Sequence, residues 1–166
     1  MLRAAGSSAV LVVIYYLLPL DRSSTAVAVT LLTIGLVALI GLVTYQVRSI
    51  IRSSFPLLRG VEALATSIPF FLLLFAATYV VLATISAGNF SQPLSRTDAI
   101  YFTVTVFATV GFGDITAKTE AARLVVTGQM IIDLIIIGIG ARIVLGAVQQ
   151  SRQRRPEGAN TPRPSE

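Results

Sequence analysis

From Thr25 to Val47 the chain carries no Asp, Glu, Lys or Arg. Once such a stretch lies in hydrocarbon, its backbone N–H and C=O groups lose their water partners, and within one segment only a helix can satisfy them. About 20 apolar residues are needed to cross a hydrocarbon core of about 30 Å. Three further stretches approach that length: Ala4 to Leu20, the shortest, Ala63 to Ala87 and Ala121 to Val148. Because 54% of the residues are hydrophobic, a soluble domain of this size could not hide them all. The expected fold class is an all-α membrane protein with four transmembrane helices.

The chain contains neither cysteine nor histidine. Disulfide frameworks, thiol chemistry and imidazole catalysis are therefore excluded, as are the usual zinc sites. No enzymatic activity and no cofactor is expected. The net charge of +5 comes from basic residues between the apolar runs and in the tail, an arrangement that anchors membrane segments and does not form a nucleic-acid footprint. Arg3 ahead of an apolar run resembles a secretory leader, but Pro19-Leu20-Asp21-Arg22 offers no small-residue cleavage site, so the first helix is read as retained.

Residues 1–47 are expected to form a two-helix hairpin turning at Asp21-Arg22-Ser23-Ser24. Residues 48–62 mix Ile50, Ile51, Phe55, Leu57, Leu58 and Val61 with Arg48, Arg52 and Arg59, which suits a cytoplasmic interfacial linker broken near Pro56 better than a plain solvated loop. Arg48, Arg52, Arg59, Arg152, Arg154 and Arg155 place both termini in the cytoplasm of a multi-pass protein of the plasma membrane. Residues 149–166 contain Pro156, Pro162 and Pro164 and almost no large apolar side chain, so a disordered tail is expected, with its arginines near anionic lipid. No soluble regulatory domain is expected after the last span. The first two helices also lack the arginine at every third position that a voltage sensor requires.

Between the third and fourth spans lies an apolar run of about ten residues, Ala99 to Ala108, too short to cross. Preceded by Thr97-Asp98, a plausible cap, it reads as a half-membrane helix that dips in and returns as non-helical chain. Irregular backbone at that depth is tolerated only when buried in protein or lining a water-filled path. The returning chain is Thr109-Val110-Gly111-Phe112-Gly113-Asp114.

This hexamer closely resembles the selectivity filter of potassium channels, with phenylalanine where tyrosine is more usual. The resemblance runs through residues 63–148: outer helix, re-entrant pore helix, filter loop between helices 3 and 4, and inner helix. It implies a potassium-selective channel in which carbonyls of Thr109, Val110, Gly111 and Phe112 coordinate K+, Gly113 completes the strand, and the Thr109 hydroxyl adds the innermost ring. Val110 and Phe112 would pack against the pore helix. Since one strand cannot enclose an ion, a homotetramer in the bilayer is implied. Asp114 would lie at the outer mouth, supported by Tyr101, Phe102 and Thr105. The acidic partner that some relatives use is absent, which leaves Tyr101 or Thr105 to hydrogen-bond Asp114. A non-selective cation channel and a non-conducting membrane partner are the competing readings.

On the inner helix, Gln129, Asp133, Ile136 and Gly140 recur at helical spacing, and with Ile137 they would line the cavity. Asp133 has two readings: a charge facing the cavity, or a hydrogen-bonded group behind the pore helix. Gly138 or Gly140 would supply flexibility.

Overall fold

The computed structural model describes residues 2–17, 25–52 and 56–153. It is helical almost throughout: α1 (Leu2–Leu17), α2 (Thr25–Ile51), α3 (Pro56–Ile85), α4 (Arg96–Phe107) and α5 (Glu120–Gln153), with one 3-10 turn at Ala87–Asn89. At 1.5 Å per residue, α2, α3 and α5 are each about 40 Å long or more, whereas α1 reaches about 24 Å and α4 about 18 Å. Among the described residues, three helices are long and apolar enough to cross a membrane, over Ala26–Ile50, Arg59–Ile85 and Glu120–Ile143. The 16 residues of α1 fall short of that length.

Helix α3 is the centre of the subunit, and α1, α2, α4 and α5 all pack against it. Its small and aromatic residues explain why. Ala76 and Tyr79 are fully enclosed, and Tyr79 packs edge-on against Phe102 of α4 and Phe90 of the following loop, with ring centroids 5.2 and 5.8 Å away. Gly35 marks a close approach of α2, since a methyl group there would lie 2.8 Å from the Leu74 side chain. Gly60 does the same for α5, 3.2 Å from Ile143. Pro69 lies within α3 without ending it, as neighbouring helices in a membrane allow.

Along the outward face of α2, Val27, Ile34, Val37 and Ile40 are exposed, as befits contact with lipid. The hydroxyls of Thr30, Thr33 and Thr44 donate to the carbonyls of Ala26, Val29 and Ile40 at 2.7–2.8 Å, so none is left bare in an apolar medium.

Of the expected linker, residues 48–51 and 56–62 are helical, and residues 53–55 lie outside the described residues. Helix α2 continues through Ile51, and Pro56 opens α3, a first-turn position where its missing N–H and fixed φ cost nothing. Ile50 and Ile51 therefore extend α2, while Leu57, Leu58 and Val61 belong to α3. Likewise α5 runs to Gln153, past the expected tail boundary at residue 149. The rest of the tail and the Asp21–Ser24 turn lie outside the described residues.

The loop after α3 is fastened at both ends. Asn89, 6% exposed, donates from Nδ2 to the Leu82 carbonyl at 2.7 Å and accepts from the Thr119 hydroxyl at 2.6 Å, while its carbonyl accepts from the Lys118 amide at 2.9 Å. Asn89→Ala strips the first two bonds and leaves buried groups unpaired, at a cost of about 1–3 kcal/mol each. A lower midpoint in thermal unfolding of the detergent-solubilised protein is the expected result.

Candidate functional site

The site is built on α4. Its first turn is closed by a capping box: the Ser95 hydroxyl accepts from the Asp98 amide at 3.1 Å, and the Asp98 carboxylate accepts from the Ser95 amide at 3.0 Å. The cap is therefore Ser95 and not Thr97. These bonds hold the Asp98 carboxyl below its ordinary value. One face of α4, with Ala99, Phe102, Thr103 and Val106, is buried in the subunit, whereas Tyr101 and Val104 point outward.

The helix ends in a Schellman motif. Val110 N–H donates to the Thr105 carbonyl at 3.0 Å and Thr109 N–H to the Val106 carbonyl at 3.0 Å, while Gly111 N–H also reaches Thr105 at 3.3 Å. The motif requires a left-handed residue between these partners, and Thr109 fills it with φ 58°. For a β-branched residue this is an outlier that the surrounding bonds must maintain. Positive φ then recurs at Gly111 (55°) and Gly113 (79°). Every second residue from 109 to 113 is thus left-handed, and glycine occupies two of the three places. A methyl group at either glycine would meet no atom within 4 Å, so backbone conformation and not space within the subunit demands it.

Residues 109–114 all lie exposed on the subunit surface. Phe112 stacks on Tyr101 with rings nearly parallel and 6.4 Å apart, and it is otherwise 69% exposed. Val110, expected to pack against the helix, is 53% exposed. The Asp114 carboxylate beside Tyr101 raises the phenol above its ordinary value. Thr105 does not compete for Asp114, because its hydroxyl donates to the Phe102 carbonyl at 2.9 Å. It acts on the loop through its own carbonyl. Phe102, the third support residue, is buried between Tyr79 and Phe90.

The far side of the loop is held by residues that sequence reasoning missed. The Ser91 hydroxyl donates to the Asp114 carbonyl at 3.3 Å and accepts from the Thr116 amide at 3.0 Å, and the Ser91 amide donates to the Thr116 carbonyl at 2.9 Å. Phe90 and Ala117 form an antiparallel bridge beside them. Serine and asparagine in a turn-rich loop give no signal in sequence that separates this fastening from ordinary loop chemistry.

The stripe expected along α5 faces inward. Gln129 is fully enclosed: its side-chain oxygen accepts from the Tyr79 hydroxyl at 2.6 Å, and its Nε2 donates to the Thr103 carbonyl and to Asp133 Oδ2, both at 3.2 Å. Asp133 is 2% exposed, and its Oδ1 is buried with no hydrogen-bond partner. Gly140 faces Leu64 of α3, 3.8 Å from where a side chain would begin, and Ile136 is half-buried. Gln129 and Asp133, expected to line the cavity, are thus enclosed among the helices of this chain, whereas Gly140 is half-buried. Asp133 takes the alternative place, behind α4, because this is the face of α5 that packs on the other helices. Ile137, a step round the helix, is exposed together with Leu134.

A sequence profile described as ion channel matches residues 67–150, half of the chain. The protein belongs to the ion channel family. The resemblance carried by residues 109–114 is thus borne out at the level of a potassium-channel-like pore domain. The matched region takes in most of α3 and α5 and everything between them, so both fastenings of the exposed loop fall inside the channel domain. Neither a curated protein nor a solved structure matches the chain.

Ser95→Ala is expected to destabilise the start of α4 in the channel by about 1 kcal/mol, read as faster amide exchange at residues 96–99. Because the folded Asp98 pKa is lowered, its contribution is complete above the ordinary carboxylate value of 3.8 and is lost as pH falls through the lowered value. Asp98→Asn should remove that dependence. Gln129→Leu leaves the Tyr79 hydroxyl, the Thr103 carbonyl and Asp133 without their shared partner, and should lower the thermal midpoint by the equivalent of about 2 kcal/mol or more.

Proposed function

We propose that this channel conducts potassium selectively and passively, as a homotetramer in the plasma membrane, with Thr109 to Gly113 as its filter. The observation that carries the reading is the run of left-handed residues at 109, 111 and 113 within an exposed Thr-Val-Gly-Phe-Gly-Asp segment. In an ordinary strand successive carbonyls point to opposite sides. Reversing the sign of φ at every second residue lets successive peptide planes turn toward one side, as rings of oxygens replacing a hydration shell require. Carbonyls of Thr109, Val110, Gly111 and Phe112, with the Thr109 hydroxyl, are the ligands in this reading.

A strand exposed on one subunit needs copies around an axis to enclose an ion, and the family pattern makes them four. Helix α4, about 18 Å long, enters and returns without crossing. Its C-terminal partial negative charge then favours a cation below the filter. Helix α1 serves as the fourth span, its length matched by local thinning of the bilayer. The arginines at Arg48, Arg52 and Arg59 put that end of the bundle in the cytoplasm, and those near Arg152 touch anionic lipid. The exposed stripe of α5 through Leu134, Ile137 and Ala141 faces the cavity, which is then apolar.

Purified protein in liposomes, tested with potassium, sodium and no gradient, decides the matter: flux under potassium far above flux under sodium is expected, and equal fluxes would overturn selectivity. Gly111→Ala or Gly113→Ala should abolish selective flux while membrane insertion persists, since a side chain opposes a φ of 55° or 79°. Because Asp133 is turned away from the exposed stripe, Asp133→Asn should leave block by internal magnesium unchanged. Weakened block in that variant would put the carboxylate in the ion path.

A further inference from the structure

The start of α4 is joined to a helix outside the matched channel region. Arg96, its first residue, donates from one guanidinium nitrogen to the carbonyls of Tyr15 and Tyr16, at 2.7 and 2.8 Å. In return the Tyr15 hydroxyl donates to the Arg96 carbonyl at 2.9 Å, and the Tyr16 and Thr97 hydroxyls are hydrogen-bonded at 3.1 Å. The Tyr15 and Tyr16 carbonyls belong to the last described turn of α1, toward the negative end of the helix dipole, and Pro19, four residues on from Tyr15, has no N–H to give. A cation on those carbonyls is a charge-assisted cap, stronger than a neutral hydrogen bond. Tyr15 is 4% exposed, so the exchange is set in a packed surface.

The other end of α4 holds the filter segment, through the Thr105 carbonyl on Val110 and Gly111 and through the Tyr101 ring stacked on Phe112. A helix of 12 residues transmits a tilt or rotation at its first turn to its last. We infer that Arg96 is a positioning residue: it pins α4 to the end of α1, and so makes the N-terminal helix a brace that holds residues 109–114 in their conducting form. This rests on the filter reading above. It gives the helices ahead of the channel domain a function within the pore, and it makes their displacement in the bilayer a perturbation of the filter.

The full-length channel is reconstituted as the parent and as Arg96→Met, Arg96→Lys and Tyr15→Phe. Conduction is followed as external potassium is lowered, and amide exchange is followed at Val110 and Gly111. In Arg96→Met the potassium concentration for half-maximal conduction should rise about fivefold or more, the lower end of typical coupling between linked sites. Exchange at Val110 and Gly111 should quicken. Arg96→Lys should recover part of both effects, because an ammonium can still donate to the α1 carbonyls, and Tyr15→Phe should shift both slightly in the same direction. A parent that does not select potassium refutes the filter reading. A selective parent with unchanged potassium dependence and exchange in Arg96→Met overturns the brace alone. Should Arg96→Met fail to assemble, parental exchange in both Arg96→Lys and Tyr15→Phe overturns it equally.

Discussion

The Thr105 carbonyl is the bond on which the site depends. A helix leaves its last carbonyls without intrahelical donors, and other groups must take them up. Here those of α4 are taken up by the amides of Thr109, Val110 and Gly111, residues of the exposed loop itself. Capping the helix and shaping the loop are thus one event. The left-handed φ at Thr109, unfavourable for a β-branched residue, follows from the cap geometry and starts the alternation that the two glycines continue.

Everything else steadies the two ends of that connection. Tyr79, Phe90 and Phe102 lock α4 against α3, and Gln129 ties α5 to the same place by bonding Tyr79 and Thr103 together. Beyond the loop, Ser91 and Asn89 fasten the returning chain to the segment that leaves α3. Such polar groups are costly to bury and therefore have to be satisfied in one particular arrangement, which is why they specify position more than they add stability.

The enclosed Gln129–Asp133 pair turns one face of α5 toward α3 and α4, leaving an apolar face of Leu134 and Ile137 outward. Chains of this family act as oligomers in the membrane, and this face is available to the assembly without presenting a charge.

Much was legible in the sequence, because hydrocarbon imposes one local rule on the backbone. The uncharged run from Thr25 to Val47 could only be a helix, and a ten-residue apolar run followed by two glycines could not cross. The Thr109–Asp114 hexamer named the family by its residues alone. What the sequence could not assign was direction and partner. Asp133 and Gln129 have the helical spacing of a lining stripe, but spacing defines a face without saying what that face meets, and packing against Tyr79 and Thr103 decided it. Tyr101 and Thr105 were equal candidates for Asp114 until the Thr105 hydroxyl was found on the carbonyl of Phe102. The Arg96 contact with Tyr15 and Tyr16 spans 80 residues or more of chain, beyond the reach of any local pattern. Backbone satisfaction is a property of each segment and is written in its composition, whereas the pairing of side chains across helices exists only once the helices have been brought together.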